Sequence, residues 1–308
     1  MLSREIRIIN FDNSITSQSN LVRRFAPQII DCVKFGPLCR LWLNRELKQQ
    51  IQLCLNPEAK NKITFFGSGD FHHISKLLIG QFTEPVSVII FDNHPDWDIL
   101  PPKFGCGSWV NRIIEQPNVL KTVLAGVSSG DLDTFSIQTA NLSRFKNNRL
   151  EIYPYYHPPS KVFFRNVPQN ISIISGKKLF YRKINWQFLK DKDLNNFFLN
   201  LMQRLPSQKV YVSIDKDCLR KEYAITNWEE GKLDLGQLLL MLKLIKDNLD
   251  IVGLDITGDF SPVRIKGRLK TFCSNWDHPK DYSAKGKDIS LINSVNEQTN
   301  IKILDLLL

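Results

Sequence analysis

Two short segments of the sequence combine carboxylates and imidazole at a spacing that suits metal chemistry. Asp92, His94 and Asp96 alternate with other residues, and Asp215 and Asp217 repeat this alternation further along the chain. Carboxylate and imidazole ligands without a thiolate suit Mn²⁺, Fe²⁺, Co²⁺ or Zn²⁺. Two cations sharing Asp92 and Asp215 as bridges would lower the pKa of a bound water, so that hydroxide is available as a nucleophile near neutral pH.

Each of these residues also has an ordinary structural explanation when it is taken alone. An Asp after a strand commonly forms a turn or caps a helix, and a lone His is commonly a hydrogen-bonded core or surface group. The joint pattern is more specific, because both motifs follow apolar strand candidates, at residues 86–91 and 210–214. Two carboxylates about 4 Å apart repel by about 4 kcal/mol at an effective dielectric of about 20, so a cation is the expected compensation.

The order of apolar segments predicts an α/β fold. Strand candidates alternate with helix candidates, which favours a three-layer α/β/α sandwich with a mostly parallel sheet. Asp234 and Gln237 form a capping-box pattern that predicts the start of a helix over residues 234–249. Residues 185–205 are expected to form one long amphipathic helix. The strand candidates are residues 6–11, 63–66, 86–91, 119–127, 171–174, 210–214 and 251–256.

Ligands of such folds bind beyond the carboxyl ends of the strands, which is where the two acidic motifs fall. Neither an internal repeat nor a linker interrupts the pattern, so residues 1–308 are expected to form a single domain.

Composition excludes several classes of protein. The hydrophobic fraction of 43% and the charged fraction of 23% are typical of a globular chain. No apolar stretch approaches the roughly 18 residues that span a bilayer, and no dense basic block marks a nucleic-acid tract. The formal net charge of +10 favours anionic partners. The six cysteines form no C-x-x-C pair and the N-terminus lacks a signal-peptide pattern, so a reduced cytoplasmic setting is expected.

Four motifs, taken in order, resemble the arginase (ureohydrolase) superfamily. That family carries Gly-Gly-Asp-His, Asp-Ala-His-x-Asp, Ser-x-Asp-x-Asp and a late Glu before Asn-Pro. The corresponding segments here are residues 69–72, 92–96, 213–217 and 259–262, so the resemblance spans residues 67–262. It implies an arginase-like metallohydrolase domain with a binuclear manganese centre, with Fe²⁺ or Co²⁺ as alternative metals.

The resemblance implies a role for each matching residue. His73 is the alternate to His72 as a ligand and, with Trp97, an expected substrate contact. Asp259 aligns with the late Glu and is expected to hold a guanidinium group. Asp96 is expected to pass a proton to the leaving amine. The implied metal ligands are His72, Asp92, His94, Asp96, Asp215 and Asp217.

One segment departs from the pattern of arginases that use the free amino acid. Residues 97–107 are shorter, more apolar and stiffened by proline, where those enzymes have a polar loop that reads the α-carboxylate and α-amino groups. Cys106 falls where their loop ends in a proton-transferring His, so Cys106 is an expected catalytic group, with His157 and His278 as substitutes.

These features look most like the peptide arginases, which convert arginine residues of ribosomally made precursor peptides to ornithine and urea. The segments that carry this likeness are Gly-Asp-Phe-His-His, Cys-Gly-Ser-Trp and Asp-Ile-Thr-Gly-Asp-Phe-Ser-Pro. An arginine-containing peptide is the expected partner, and an acidic leader would suit the positive surface.

Other interpretations stay open. They are a ureohydrolase acting on arginine or an agmatine-like amine, a hydrolase of other guanidino acids or of an acetylamide, and a degenerate arginase-like binding protein. Retention of all the motif carboxylates and the histidine in residues 92–96 and 215–217 argues against the last. The choice between a monomer and a homo-oligomer is open as well.

Overall fold

Eight strands of the chain form a central sheet in which every neighbouring pair is parallel. The computed structural model describes residues 4–55, 60–278 and 286–308. The strand order in this sheet is β2-β1-β3-β11-β10-β4-β5-β6. The strands of the chain are β1 Glu5–Asn10, β2 Gln28–Asp31, β3 Lys62–Gly67, β4 Val86–Phe91, β5 Val119–Ala125, β6 Leu150–Tyr153, β7 Ser160–Phe163, β8 Ile173–Lys177, β9 Tyr181–Trp186, β10 Lys209–Asp215 and β11 Asp250–Thr257.

Helices cover both faces of this sheet. Along β4, Val88 and Ile90 join a core cluster with residues of α3, α4 and α5, whereas Ile89 and Phe91 join a second cluster with residues of α1, α6, α7 and α9. This alternation follows from the two-residue period of a strand, and β4 is apolar throughout because both of its faces are buried. The helices are α1 Ser19–Phe25, α2 Gly36–Cys39, α3 Arg45–Cys54, α4 Ser75–Ile79, α5 Trp109–Ile114, α6 Leu194–Gln203, α7 Leu235–Asn248, α8 Arg268–Asp277 and α9 Ile289–Leu307.

The predicted fold class is therefore confirmed, as a three-layer α/β/α arrangement around a parallel sheet. The predicted capping box is confirmed as well. Asp234 caps α7 by accepting a hydrogen bond from the Gly236 N–H at 2.9 Å, while the Gln237 side chain accepts one from the Asp234 N–H at 3.1 Å. Together these bonds satisfy N–H groups that the first helical turn leaves without partners.

The long helix predicted over residues 185–205 is wrong. The first residues of this range form the end of β9. Trp186 is buried there, and the indole N–H of Trp186 donates to Ser160 Oγ at 2.8 Å. The helical part is α6, which begins after Asp193, whose side chain accepts from the N–H groups of Asn195 and Asn196. The apolar residues shared by both parts imitate one helical stripe, but tertiary contacts of Trp186 decide the strand.

A second, antiparallel sheet has the order β7-β9-β8. The strand candidate at residues 171–174 contributes to this sheet, as part of β8, and not to the central one. Helices of the described segments include none that is long and apolar enough to cross a membrane.

The strand order explains where the chemistry gathers. β3, β11, β10 and β4 are consecutive in the sheet and run in one direction, so their carboxyl ends share one edge. The first acidic motif begins directly after β4, and the second begins with Asp215, the last residue of β10. This edge is therefore where the six implied ligands should meet.

Candidate metal centre

The six implied metal ligands do come together at this edge. They are supplied by the loop after β4, by the end of β10 with the 3₁₀ turn that follows it, and by the 3₁₀ turn after β3. Five of them are buried and His94 is partly exposed. These residues are His72, Asp92, His94, Asp96, Asp215 and Asp217.

Two overlapping groups among them could each hold a cation. One consists of His72, Asp92 and Asp96, and the other of Asp92, His94 and Asp217; the ligand atoms of each group lie within 4.8 Å of one another. In the first group, His72 Nδ1 is 3.1 Å from Asp92 Oδ2. In the second, His94 Nδ1 is 3.0 Å from Asp217 Oδ2. Asp92 belongs to both groups, as expected for a bridging ligand.

Asp215 is the other residue that the sequence suggests as a bridge. Its Oδ2 lies 3.4 Å from His72 Nδ1, but neither of the two groups includes it. The structure thus places Asp215 beside the first group, while only Asp92 is common to both.

The two explanations of an aspartate after a strand, as a turn residue and as a metal ligand, are compatible at Asp92 and at Asp215. Asp92 Oδ1 accepts a hydrogen bond from the His94 N–H at 2.7 Å, and Asp215 Oδ1 accepts one from the Asp217 N–H at 3.1 Å. Such turns bring the side chain two residues on to the same side as the aspartate. The alternating spacing of both motifs is therefore what points their side chains into one site.

Electrostatics indicate that the buried carboxylates lack sufficient positive charge of their own. Burial raises the pKa of Asp96, of Asp215 and of Asp217, and the neighbouring aspartates raise each of them further. Burial alone would lower the pKa of His72, but the hydrogen bond and the charge of Asp92 outweigh it and raise that pKa to about 10. Cations would replace these protons, so the donor set fits divalent metal ions.

A hydrogen-bond chain behind His72 fixes which ring nitrogen faces the carboxylates. Ser213 Oγ donates to Asp255 Oδ1 at 2.6 Å, so it is free to accept from His72 Nε2, which lies 2.9 Å away. Tyr211 donates to the other oxygen of Asp255 at 2.7 Å. A proton held on Nε2 leaves Nδ1 as the atom available to a metal ion.

These residues form the base of a cavity of about 300 Å³. Two residues of the predicted site, Trp97 and Cys106, are among the residues that line it. Three carboxylates that sequence reasoning did not single out as site residues line it as well, together with an aromatic side chain. These additional lining residues are Asp98, Asp131, Trp228 and Glu229.

Glu229 is the most informative of the missed residues. Its side chain is 53% exposed, and Oε1 lies 3.6 Å from His94 Nε2. Its backbone carbonyl accepts from Asn93 Nδ2 at 3.1 Å, which ties it to the loop after β4. The only sequence signal is an acidic pair, Glu229 and Glu230, and this pair carries no spacing that relates it to the other motifs.

The expected role of Asp259 has to be corrected. Asp259 is buried and is not among the residues that line the cavity. Its Oδ2 forms an ion pair with Lys216 Nζ at 2.8 Å, and its Oδ1 accepts from Gln18 Nε2 at 2.6 Å. Lys216 is also fully buried and needs a partner of opposite charge, so Asp259 serves it instead of a guanidinium group in the cavity.

The expected role of His73 is corrected in the same way. Its ring is buried against Phe104, with ring centroids 5.8 Å apart, and His73 does not line the cavity. Burial lowers its pKa to about 3, so the ring is neutral. Of the two adjacent histidines, His72 is the one that belongs to a group that could hold a cation.

The two substitutes for Cys106 in proton transfer also lie off the cavity lining. His157 Nε2 is 3.2 Å from Asp133 Oδ1. His278 Nε2 is 2.9 Å from Asp70 Oδ1, and the ring stacks on Trp228 with centroids 4.4 Å apart. His278 therefore supports a wall of the cavity, and among these three groups only Cys106 lines it.

The structure is similar to solved structures of the arginase (ureohydrolase) superfamily. A proclavaminate amidino hydrolase from Streptomyces clavuligerus matches with a TM-score of 0.56 and 13% identity, covering 99% of this chain and 91% of that one. An arginase from Bacillus subtilis matches with a TM-score of 0.53 and 11% identity, covering 99% and 98%. A formimidoylglutamase from the same species matches with a TM-score of 0.51 and 11% identity, covering 99% and 86%. At these identities the likeness establishes an arginase-like α/β fold.

Sequence comparison adds less. No protein-family model matches the chain. A Thermotoga maritima protein described as uncharacterized is 26% identical over 202 residues, which is 65% of this chain. The chain spans 59% of the length of that relative.

The sharing of Asp92 leads to a first prediction. Asp92→Asn keeps the shape of the side chain but removes a negative ligand from both groups, so binding of Mn²⁺ should be lost at both. His94→Ala should weaken only the second group. Metal analysis after dialysis and titration calorimetry measure the number of bound ions. The exposed Asp247→Asn serves as the control, and an Asp92→Asn protein with undiminished Mn²⁺ binding would contradict the shared role.

A glycine beside Asp215 gives a second prediction. Gly258 has φ +88°, and a Cβ there would lie 2.3 Å from Asp215 Oδ1. Gly258→Ala should therefore displace the carboxylate and lower Mn²⁺ affinity. Gly286 has a similar φ of +78° and none of the described atoms within 4 Å of such a Cβ, so Gly286→Ala should cost only backbone strain, about 1 kcal/mol.

Denaturant unfolding and calorimetric titration with Mn²⁺ separate the two effects of these glycine substitutions. If both variants bind Mn²⁺ equally well, the space beside Asp215 does not matter for the metal site.

Proposed function

We propose that the protein is a metal-dependent hydrolase of a guanidino group, and that it converts arginine residues of a peptide to ornithine with release of urea. The observation that carries this proposal is the pair of overlapping cation-binding groups at the base of an acid-lined cavity. Guanidinium is a planar cation that forms charge-assisted hydrogen bonds with carboxylates, so an acid-lined cavity suits it.

The metal ions of this proposal are two Mn²⁺ per chain, with Fe²⁺ or Co²⁺ as alternatives. His72, Asp92 and Asp96 would hold one, and Asp92, His94 and Asp217 would hold the other. When bound, such ions polarise a substrate and make hydroxide available near neutral pH.

Asp96 is the residue of the chain best placed to move a proton. It lines the cavity, and its Oδ2 accepts from the indole N–H of Trp109 at 2.6 Å, which holds the carboxylate in one orientation. In the proposed reaction Asp96 carries a proton to the leaving amine. Cys106, which also lines the cavity, is the candidate for relaying that proton to solvent.

The missed carboxylates take over the recognition role expected of Asp259. Glu229 is half-exposed at the cavity, next to His94, and Asp131 and Asp98 line the same space. Because its charge is not taken by a buried lysine, Glu229 is available to accept hydrogen bonds from a guanidinium group.

The acidic lining also bears on the form of the substrate. Free arginine carries an α-carboxylate, which these carboxylates would repel, whereas an arginine residue within a peptide carries no such charge. The segment 97–107 contributes Trp97, Asp98, Cys106 and Gly107 to the lining. Asp98 in this segment would repel the α-carboxylate of free arginine, so the segment favours a peptide over the free amino acid.

The same repulsion argument is compatible with a second class of substrate. A small guanidino amine of the agmatine type has no carboxylate, so the acidic lining would accept it as well. Peptide and amine differ in length and in their flanking amide groups, and direct assays separate them.

The proposal is tested with Mn²⁺-loaded protein and three substrates, namely free arginine, agmatine and an arginine peptide blocked at both ends. Urea release is measured together with the mass of the product, which falls by about 42 Da when CN₂H₂ is lost by hydrolysis. We expect the blocked peptide to give the highest kcat/KM. Faster turnover of agmatine would favour the small-amine alternative, and absence of urea from all three would reject the hydrolase.

Recognition by Glu229 gives a prediction with a built-in control. Glu229→Gln should raise KM for the arginine peptide by about 10-fold or more, since a hydrogen bond between charged groups contributes about 1.5–3 kcal/mol. The neighbouring Glu230→Gln changes the same charge on a residue that does not line the cavity, so it should leave KM unchanged. Equal KM values in both variants would remove Glu229 from the recognition site.

A further inference from the structure

The β7-β9-β8 sheet exposes an unusual amount of apolar surface outside the cavity. Its outer face and hairpin tip include Phe163 and Ile174, which are 38% and 60% exposed, and Leu179 and Phe180, which are 86% and 63% exposed. Phe164, beside β7, is 88% exposed. Exposed apolar side chains that cluster in this way commonly mark an interaction surface.

One edge of this sheet has no strand beside it in the described part of the chain. β9 is the middle strand, and β8 pairs with β9 alone. The opposite edge differs, because the N–H of Phe163 in β7 donates to Gln138 Oε1 and the Gln138 side chain donates to the Lys161 carbonyl. An open edge strand offers backbone donors and acceptors to another extended chain.

The charge of this segment is entirely of one sign. Residues 152–190 contain seven Lys and Arg residues and no Asp or Glu. Within the segments that the structure describes, no carboxylate forms an ion pair with Lys161, Lys177, Lys178 or Lys183. Lys161 instead lies over the ring of Tyr181, with Nζ 5.4 Å from the ring centroid. The surface is therefore complementary to an acidic partner.

The inner face of the same sheet is packed on the wall of the cavity. Trp186 of β9, which pairs with Ile173 of β8, lies against Trp97, with ring centroids 6.4 Å apart. Trp97 lines the cavity. The sheet and the cavity thus share one wall, so a single extended chain could contact both.

We propose that the β7-β9-β8 sheet binds an extended acidic segment of the peptide substrate, which adds as a strand along β8. That this acidic segment belongs to a substrate rests on the proposed function, whereas its binding to the sheet does not. Alternate side chains of the acidic segment would contact Ile174 and the tip residues Leu179 and Phe180. Its carboxylates would pair with Lys177, on the opposite face of β8 from Ile174, and with Lys178 just beyond the end of that strand.

The backbone edge is the reason to prefer a peptide over other anionic partners. A nucleic acid or an anionic membrane could use the lysines and the exposed rings, but neither would form ladder hydrogen bonds with β8. A second copy of this chain could add along β8, but its own β8 surface carries the same positive charge and would repel.

The binding test uses a fluorescent peptide of about eight residues that alternates Glu and Val, since a strand of this length matches β8 with a small overhang. It contains no arginine, and binding to the full chain is followed by fluorescence anisotropy. We expect saturable binding that weakens at least about tenfold in the double variant Lys177→Glu with Lys178→Glu, because attraction becomes repulsion at two positions. The matched control, Lys232→Glu with Lys302→Glu, makes the same change of net charge elsewhere and should bind normally.

A modified probe tests the backbone contacts without altering the protein. The same peptide N-methylated at alternate residues cannot form the ladder along β8 and should bind at least about tenfold more weakly. Equal binding of the methylated probe, or equal binding by the two double variants, would overturn the proposal. It would also be overturned if anionic vesicles or single-stranded RNA bound more tightly and displaced the probe. A concentration-dependent dimer that the probe dissociates would show that a second copy occupies β8.

A second experiment separates this proposal from the proposed function. Two arginine peptides are compared, one short and one preceded by the acidic segment, and we expect the longer one to have the higher kcat/KM. Lys177→Glu with Lys178→Glu should abolish that advantage. Probe binding without urea release would reject the hydrolase and keep the binding surface, while urea release with no advantage for the longer peptide would reject the role of the surface in substrate binding.

Discussion

Mutual repulsion of buried carboxylates is the constraint on which this structure depends. Asp92 and Asp96 follow β4, while Asp215 is the last residue of its neighbour β10 and Asp217 follows it, so the parallel sheet itself brings four negative groups together. A pair at about 4 Å costs about 4 kcal/mol at an effective dielectric of about 20, which a marginally stable fold does not tolerate repeatedly. Protons or metal ions must supply the missing positive charge, so binding of a metal ion would be coupled to the stability of this edge.

The source of the opposing charge distinguishes structural carboxylates from those of the site. Asp259 has Lys216, and Asp70 has both Arg40 and His278, so the chain itself balances these buried charges. The ligand aspartates have only two histidines among them. An excess of buried carboxylates over cationic side chains is thus the physical signature of the candidate metal centre.

The sequence was sufficient for what depends on local pattern and failed where tertiary contacts decide. Alternating motifs after apolar strands predict which side chains gather at this edge, because strand ends and aspartate turns determine where those side chains point. The alignment of residues 259–262 with the late Glu before Asn-Pro predicts a guanidinium partner for Asp259, but a linear comparison does not reveal that Lys216 forms an ion pair with its carboxylate. Glu229 lies in a loop that is held by a hydrogen bond to Asn93, so no spacing in the sequence predicts its place at the cavity. For the same reason, the apolar spacing predicts a helix at Trp186, although tertiary contacts place this residue in β9.

The cavity and the surface formed by residues 152–190 carry opposite charges and would therefore attract different groups. The net charge of +10 describes neither, because the cavity is lined by carboxylates while residues 152–190 carry no acidic side chain. A small cation is drawn to the first region and repelled by the second, and an acidic segment behaves in the opposite way. A peptide with a basic residue placed beyond an acidic stretch would therefore be held in one orientation. Under the two proposals, charge segregation of this kind would select a substrate by the order of its residues and not by its total charge.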